Sequence, residues 1–247
     1  MGLDAYYHGM GLKVEQRPAH GLSYLASYTW SKAMDTGSTF DVAAEWLNPN
    51  NLWGSARGLS DFDARHRFVF SYQYELPFGR GKPVGNNISG ALNQFVGGWG
   101  IRGVTFFQSG FAYSPRMSLT RANYCAAACS ANADRIADGN LPESERTLNR
   151  FWDISAFVLP PLSDPRAGNG GRNILVGPGL NNWDLGIFKT FPITEGTRLE
   201  FRYEMFNTWN HPQFNAPSSS IENAATFGRI TSARDPRISQ FVLKFTF

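Results

Sequence analysis

The last seven residues, FVLKFTF, alternate between apolar and more polar side chains and end on an aromatic residue. In an extended strand Phe241, Leu243, Phe245 and Phe247 would share one face, because successive side chains point to opposite sides. The terminal residues of soluble domains are usually poorly ordered instead. The pattern therefore predicts a final strand with one apolar face and one mostly polar face.

The same period of two recurs upstream and predicts further strands. The clearest examples are RLEFRYEM at 198–205, where apolar residues alternate with Arg and Glu, and RFVFSYQYEL at 67–76. Further predicted strands cover residues 6–15, 21–32, 99–111 and 183–191. We expect about seven strands of roughly 9 to 13 residues, which is close to the length that crosses a bilayer at a tilt.

The connections between the predicted strands alternate in length. Those near 17–21 and 192–196 are tight turns. The long connections are rich in Gly, Pro, Asn and Asp and cover residues 33–64, 114–182 and 210–237. Short periplasmic turns and long extracellular loops are typical of an antiparallel, up-and-down transmembrane β-barrel, which is the fold that we predict. The connection 78–97 should be short in this arrangement but has 20 residues, so we expect a turn of helix or a pair of short strands inside it.

Composition limits the other ways in which the chain could function. No run of apolar residues approaches the length of about 18 that a transmembrane helix needs. The net charge of +3 is spread along the chain, which gives no basic stripe for a nucleic acid. The start, MGLDAYYHGM, lacks the basic and apolar regions of a signal peptide. We therefore expect either a cytoplasmic protein or a piece of a longer one.

A soluble β-sandwich is the main alternative, since its strands also alternate between a buried and a solvated face. Three features favour the membrane. Loops as long as 114–182 are uncommon in compact soluble domains, and the chain ends on Phe247. Tryptophans also stand at the ends of predicted strands, as in the aromatic girdles of membrane barrels. These girdle candidates are Trp30, Trp99, Trp183 and Trp209.

Several longer segments carry a family resemblance. They are GLSYLASYTWSKAMD, GLSDFDARHRFVFSYQYELPFGRGK, GGW followed by FFQSG, NNWDLGIFKTFPITEGTRLEFRYEMFNTWNHPQF, and FGRITSARDPR. Together they resemble the C-terminal barrel of TonB-dependent outer-membrane transporters, particularly the Oar-like group. The resemblance covers nearly the whole chain in the family's order but does not indicate the substrate. It implies a protein of the outer membrane of a Gram-negative-type bacterium.

The resemblance also implies partners and a mechanism. Family members import a substrate when the inner-membrane TonB complex displaces a plug domain from the barrel. Barrels with a plugged lumen have about 22 strands. The sequence shows neither a plug nor a TonB box, so we expect residues 1–247 to be the last third of a longer transporter barrel. The expected partners are outer-membrane lipid, the barrel-assembly machinery, the plug and, through the missing N-terminal part, the TonB complex. Phe247 resembles the signal that the assembly machinery recognises, although it could equally anchor the last strand in lipid.

Candidate functional residues fall into two groups. Aromatic residues of the long loops are candidates for substrate contacts, with loop packing as the alternative, and they are Trp46, Trp53, Tyr124 and Trp152. Charged residues of the polar strand faces are candidates for the lumen, where they would hydrogen-bond the plug or pair with neighbouring strands. These lumen candidates are Arg65, Arg67, Arg198, Glu200, Arg202 and Glu204.

The remaining motifs predict little chemistry. Cys125 and Cys129 lie in the longest loop, where an oxidising compartment favours a disulfide over two thiols or a metal pair. Asp61 and Asp63 are a weak calcium signature. No metalloprotease motif, nucleophile elbow or phosphate loop is visible. We therefore expect no enzyme, no cofactor and no metal. A non-energised porin or adhesin, and a soluble carbohydrate-binding sandwich, stay as alternative functions.

Overall fold

The computed structural model describes residues 4–38, 56–117, 131–164, 166 and 168–247. Their strands, in chain order, are β1 Ala5–Ala19, β2 Leu22–Asp35, β3 Gly58–Leu59, β4 His66–Glu75, β5 Trp99–Gln108, β6 Ala112–Tyr113, β7 Arg116–Met117, β8 Ala131–Asn132, β9 Asp134–Arg135, β10 Phe157–Val158, β11 Leu175–Val176, β12 Leu180–Pro192, β13 Arg198–Phe206 and β14 Ile238–Thr246. A helix, α1, covers Gly90–Val96, and short 3₁₀ turns cover Glu143–Glu145 and Ile154–Ala156.

Seven long strands form one antiparallel sheet in the order β1-β2-β4-β5-β12-β13-β14, with β3 paired to the end of β2. This confirms the predicted up-and-down arrangement of strands. Within the described residues, β1 pairs only with β2 and β14 only with β13, so the sheet is not closed. Because neighbours are antiparallel and the strands number seven, the two edge strands β1 and β14 run in the same direction.

The strand register divides the sheet into two faces, since residues directly opposite each other share a face. On one face apolar side chains follow one another from strand to strand, as in Leu12, Tyr28 and Phe68, or Tyr203 and Phe241. Phe241 is 73% exposed. An exposed apolar face of this extent requires an apolar environment such as lipid.

The largest buried cluster lies in the long loops and not beneath the sheet. Residues 109–117, 131–164, 168–179 and 207–237, which we call the loop cap, pack together through short strand pairs (β6 with β11, β7 with β8, β9 with β10). The buried cluster consists of Met117, Ala133, Phe151, Trp152, Ala156, Phe157, Leu175, Ile221, Phe227 and Ile230. The protein therefore buries its apolar residues in the loops and exposes them on the sheet, which reverses the arrangement of a soluble sandwich.

The connections at the opposite end of the sheet are shorter. His20 and Gly21 turn the chain between β1 and β2 with φ angles of 52° and 81°, as a two-residue hairpin requires. Ile193 and Thr197 close the turn between β12 and β13 through a 2.9 Å backbone hydrogen bond. The long connection between β4 and β5 contains α1, so the helical alternative predicted for 78–97 is the one found. Among the described residues no helix is long and apolar enough to cross a membrane.

Candidate functional site

The polar face of the sheet carries a cluster of charged side chains that interact with one another. An open concavity of about 620 Å³ lies along it, lined by residues that include Lys13, Gln73, Arg102, Asp184 and Glu204. These side chains come from β1, β4, β5, β12 and β13, so the concavity spans most of the width of the sheet. Its position and polarity are those expected for a wall of a water-filled or plugged barrel lumen.

An ion pair crosses three strands at the centre of this face. Arg102 on β5 and Glu204 on β13 both stand opposite Gly186 of the intervening β12. The Arg102 guanidinium donates a hydrogen bond to Glu204 above the glycine. A Cβ atom at Gly186 would lie 3.4 Å from Arg102 Cγ, which is an ordinary contact, so the arginine stem passes directly over a small residue. The small residue on β12 therefore allows two strands that are not neighbours to be linked.

Glu204 is also the centre of a wider network. Its second carboxylate oxygen accepts a 2.6 Å hydrogen bond from Gln240 on β14. Arg202 lies 3.7 Å from Glu204 and 3.5 Å from Glu200, its neighbours along the same face of β13. The predicted lumen residues Glu200, Arg202 and Glu204 thus come together and pair with one another. Contacts of the same residues with a plug stay a prediction.

The other lumen candidates are placed apart from this network. The Arg67 guanidinium lies over the ring of Phe106 on the same polar face, 5.2 Å from its centroid. Arg65 precedes β4 and lies 3.8 Å from Asp63, at the end of the sheet that bears the long loops. Arg198 is exposed at the short-turn end, opposite Thr246. These three arginines therefore lie apart from one another, at different positions along the strand direction.

Sequence reasoning did not select three members of the polar face as lumen candidates. Arg102 and Gln240 lie in segments where charged residues are sparse, so no alternation of charge marked them. Phe188 is an apolar residue on the polar face, where its ring covers Gly100 of β5 and the Arg102 guanidinium lies 5.9 Å from its centroid. The signal that could have found them is register, which becomes available only when strands are paired.

The substrate-contact candidates have different outcomes. Trp46, Trp53 and Tyr124 lie outside the described residues, as do Cys125 and Cys129. Trp152 was a candidate for a substrate contact with loop packing as the alternative, and it is only 1% exposed, which leaves no surface for a substrate. Its indole nitrogen donates a 2.8 Å hydrogen bond to the Val176 carbonyl in the buried cluster of the loop cap. The packing alternative holds for Trp152.

A second charged cluster joins the loop cap to the sheet. Arg172 of the cap donates to the side chains of Asp35, at the end of β2, and Asp61. Asn173 donates a 2.5 Å hydrogen bond to the same Asp61 carboxylate. Asp63 accepts a 2.6 Å hydrogen bond from the Ala33 amide. The Asp61 and Asp63 carboxylates are thus bound by protein groups, and the described residues contain no group of three or more His, Cys, Asp or Glu that could hold a metal.

Carboxylates in the loop cap are stabilised in their charged form. Hydrogen bonds from Arg166 lower the pKa of Asp134, and the Asn169 amide lowers it further. The backbone amide of Asn140 lowers the pKa of Asp138 in the same way. Both carboxylates therefore accept hydrogen bonds in their ionised form, and their role in the cap is structural.

The girdle candidates stand at both ends of the sheet. Trp30 and Trp183 lie on the apolar face near the long loops, and Trp209 follows β13 at the same end and is 65% exposed. Trp99 begins β5 at the short-turn end. Phe247 is exposed beyond the end of β14. These positions are compatible with two interfacial belts and an exposed terminal aromatic, and both roles stay predictions.

Residues 2–240 match the family model described as an outer membrane beta barrel domain, so the chain belongs to that family. Neither a curated protein nor a solved structure matches the chain. The protein is therefore an outer-membrane β-barrel protein, and the alternative of a soluble sandwich is wrong. In such barrels long loops are extracellular and short turns periplasmic, so we expect the loop cap outside the cell and α1 at the periplasmic end.

Proposed function

We propose that this chain is the C-terminal segment of a TonB-dependent transporter barrel of the Oar-like group, which takes up an unidentified substrate with energy supplied from the inner membrane. The observation that carries the proposal is the combination of two sheet edges that are unpaired among the described residues with a charged polar face. The unpaired edges bear on the number of strands in the complete barrel, and the charged face bears on what its lumen contains.

The unpaired edges argue for a barrel of more strands. β1 and β14 run in the same direction, so direct closure between them would make a parallel pair. Bacterial outer-membrane barrels are antiparallel and have an even number of strands, so an odd set of seven needs at least one further strand. Backbone groups at an open edge have no water to bind in hydrocarbon. Further strands of the same protein are the simplest way to satisfy both edges.

The charged face argues for a wide and occupied lumen. A barrel of about eight strands has an interior filled by its own side chains. Burial of charges in such an interior costs more than their pairing returns, unless every charge is compensated. The Arg102, Arg202 and Glu204 network is paired but only half-buried, and it faces the concavity. It is suited to a hydrated lumen or to contact with a polar plug domain.

The loop cap fits the receptor part of the proposal. It forms a folded extracellular surface with its own buried cluster, and this can position substrate contacts more firmly than separate loops. Trp46, Trp53 and Tyr124 remain candidates for these contacts. The proposed partners are outer-membrane lipid around the apolar face, the assembly machinery at Phe247, and the plug and TonB complex through a part of the protein outside these residues.

In-cell cross-linking tests energy coupling without knowledge of the substrate. Cells that produce the full protein are treated with formaldehyde, and adducts are detected with antibodies against this chain and against TonB. A transporter predicts one adduct that reacts with both antibodies and is absent from a strain without TonB. A non-energised porin or adhesin predicts that no common adduct forms while the protein is abundant in the outer membrane, and that result would contradict energised uptake.

A further inference from the structure

Lys189 is an exception on the apolar face of the sheet. It stands in the row of β12 between Ile187 and Phe191 and opposite Trp99 of β5. A lysine that faces lipid is costly, and it normally extends its ammonium group to the interface. Lys189 is instead 5% exposed. Another part of the chain must therefore cover it.

The cover is the C-terminal end of α1. The Lys189 ammonium donates hydrogen bonds of 2.5 Å to the Gly97 carbonyl and 3.2 Å to the Phe95 carbonyl. It also lies 4.8 Å from the ring centroid of Trp99 and 5.0 Å from that of Phe191. The Trp99 indole nitrogen donates to the same Phe95 carbonyl at 2.9 Å. These bonds hold α1 against the outside of the barrel wall and not beneath it.

The helix then presents its own apolar side chains outward. Leu92, Phe95 and Val96 are spaced three and four residues apart, so they share one side of the helix. All three are exposed, and Phe95 is 78% exposed. Their neighbour Gln94 lies on a different side of the helix. The apolar side of α1 adjoins the lipid-facing surface of the sheet at its periplasmic end.

The connection between β4 and β5 carries basic side chains, which favour an anionic surface as its partner. Residues 76–98 contain Arg80 and Lys82 but no Asp or Glu, and the Lys82 ammonium pairs with Glu75 at the end of β4 at 2.9 Å. Asn93 of α1 accepts a 2.7 Å hydrogen bond from the Arg80 amide, so the basic turn is fixed beside the helix. Apolar side chains next to basic ones are the pattern of segments that lie in the interface of an anionic lipid leaflet.

We propose that residues 76–98 are an interfacial anchor that inserts Leu92, Phe95 and Val96 into the periplasmic leaflet of the outer membrane, held to the barrel wall by Lys189. The partner is the phospholipid surface, and it is argued from the continuity of α1 with the lipid-facing side of the sheet. The anchor is independent of whether the barrel is energised, since it uses only the outer surface. It would fix the depth and tilt of this part of the wall.

Spin labels can measure the depth of the helix in outer membranes from cells that produce the full protein. Cys125 and Cys129 are first replaced by Ser, and a nitroxide is attached in the F95C variant or in the matched Q94C variant. The anchor predicts that the Phe95 label collides more with oxygen than with a water-soluble nickel chelate, and that the Gln94 label shows the opposite preference. A label at Leu92 should repeat the Phe95 result, which guards against misfolding of one variant.

Two results would overturn the proposal. If labels at Phe95 and Leu92 are as accessible to the nickel chelate as the Gln94 label, the helix lies in water. If they are shielded from both oxygen and nickel, the helix is covered by protein and not by lipid. The pattern of surface proteolysis is compared for all variants, so that only membranes with the native fold are used.

Discussion

The Arg172 guanidinium lies 2.5 Å from Asp35, and the two side chains are only 3% and 6% exposed. The residues are 137 positions apart, one in the loop cap and the other at the end of β2. The same guanidinium reaches Ser38 and Asp61, so one arginine contacts three side chains near the top of the wall. The cap is thus attached to the sheet by a buried ionic contact as well as by chain connectivity.

Replacement of Arg172 by Met should detach the cap. Removal of one partner from a buried ion pair leaves an uncompensated charge and costs roughly 3 to 5 kcal/mol. We expect R172M cells to lose protease resistance in the cap while the sheet stays resistant. The matched control is R150M, because Arg150 makes an exposed pair with Asp153 and its loss should change little. Equal resistance of R172M and R150M would contradict the role of Arg172.

Replacement of Trp152 by Ala should unfold the cap from within. The side chain contacts the rings of Tyr113, Phe151 and Phe227, and removal of a buried aromatic of this size costs about 3 to 5 kcal/mol. Near-ultraviolet circular dichroism of the purified protein should lose cap signal in W152A. The exposed Trp209 provides the control, since W209A removes the same chromophore without a cavity. Protease on intact cells should also cleave the cap of W152A but not that of W209A, and the same cleavage pattern in both variants would contradict the packing role.

Two glycines of the polar face should differ in their tolerance of Ala. A Cβ atom at Gly100 would lie 2.2 Å from the Phe188 ring, whereas the nearest atom to a Cβ at Gly186 is 3.4 Å away. G100A must displace Phe188 and should cost about 1 to 3 kcal/mol, as overpacking does. G186A should be nearly neutral. Urea unfolding in detergent micelles compares the two variants, and a G186A midpoint as low as that of G100A would show that the register is wrong.

The loop cap should loosen in acid. Arg166 holds the pKa of Asp134 below its ordinary value of 3.8, so Asp134 contributes stability that is present above pH 3.8 and is lost as the pH falls through the lower pKa of the folded state. Hydrogen exchange of the cap should therefore rise below pH 3.8, after correction for the intrinsic rate, while exchange in β4 stays constant. D134N should show a smaller rise. An unchanged rise in D134N would assign the acid effect to other groups.

The sequence alone predicts the sheet well because its long strands have nine or more residues and several of them, such as β13, alternate along their whole length. The cap escaped prediction because its strands are two residues long, too short for any period to be visible, and are paired across distant segments, as in Leu175 with Tyr113. For the same reason the sequence left substrate contact and loop packing open for Trp152, since a core within loops leaves no pattern in the sequence. The contact of Arg172 with Asp35 could not be predicted either, because it joins the loop cap to β2 across 137 residues.

The polar face was predicted in part. Glu200, Arg202 and Glu204 were found because charge alternates along one strand. Their partners Arg102 and Gln240 belong to other strands, and only register brings them opposite Gly186 and Glu204. The role of Lys189 was not predicted, because a lysine among lipid-facing residues has no evident partner until α1 is known to cover it.

The most direct test of the central claim, that these strands form part of a larger outer-membrane barrel, is the size and location of the protein in its source cells. Cell fractions are separated by denaturing electrophoresis and probed with an antibody against residues 210–237. The account predicts an outer-membrane band far above 27.5 kDa that is clipped when intact cells are treated with protease. A band at 27.5 kDa in any fraction, with none above it, would contradict the larger barrel.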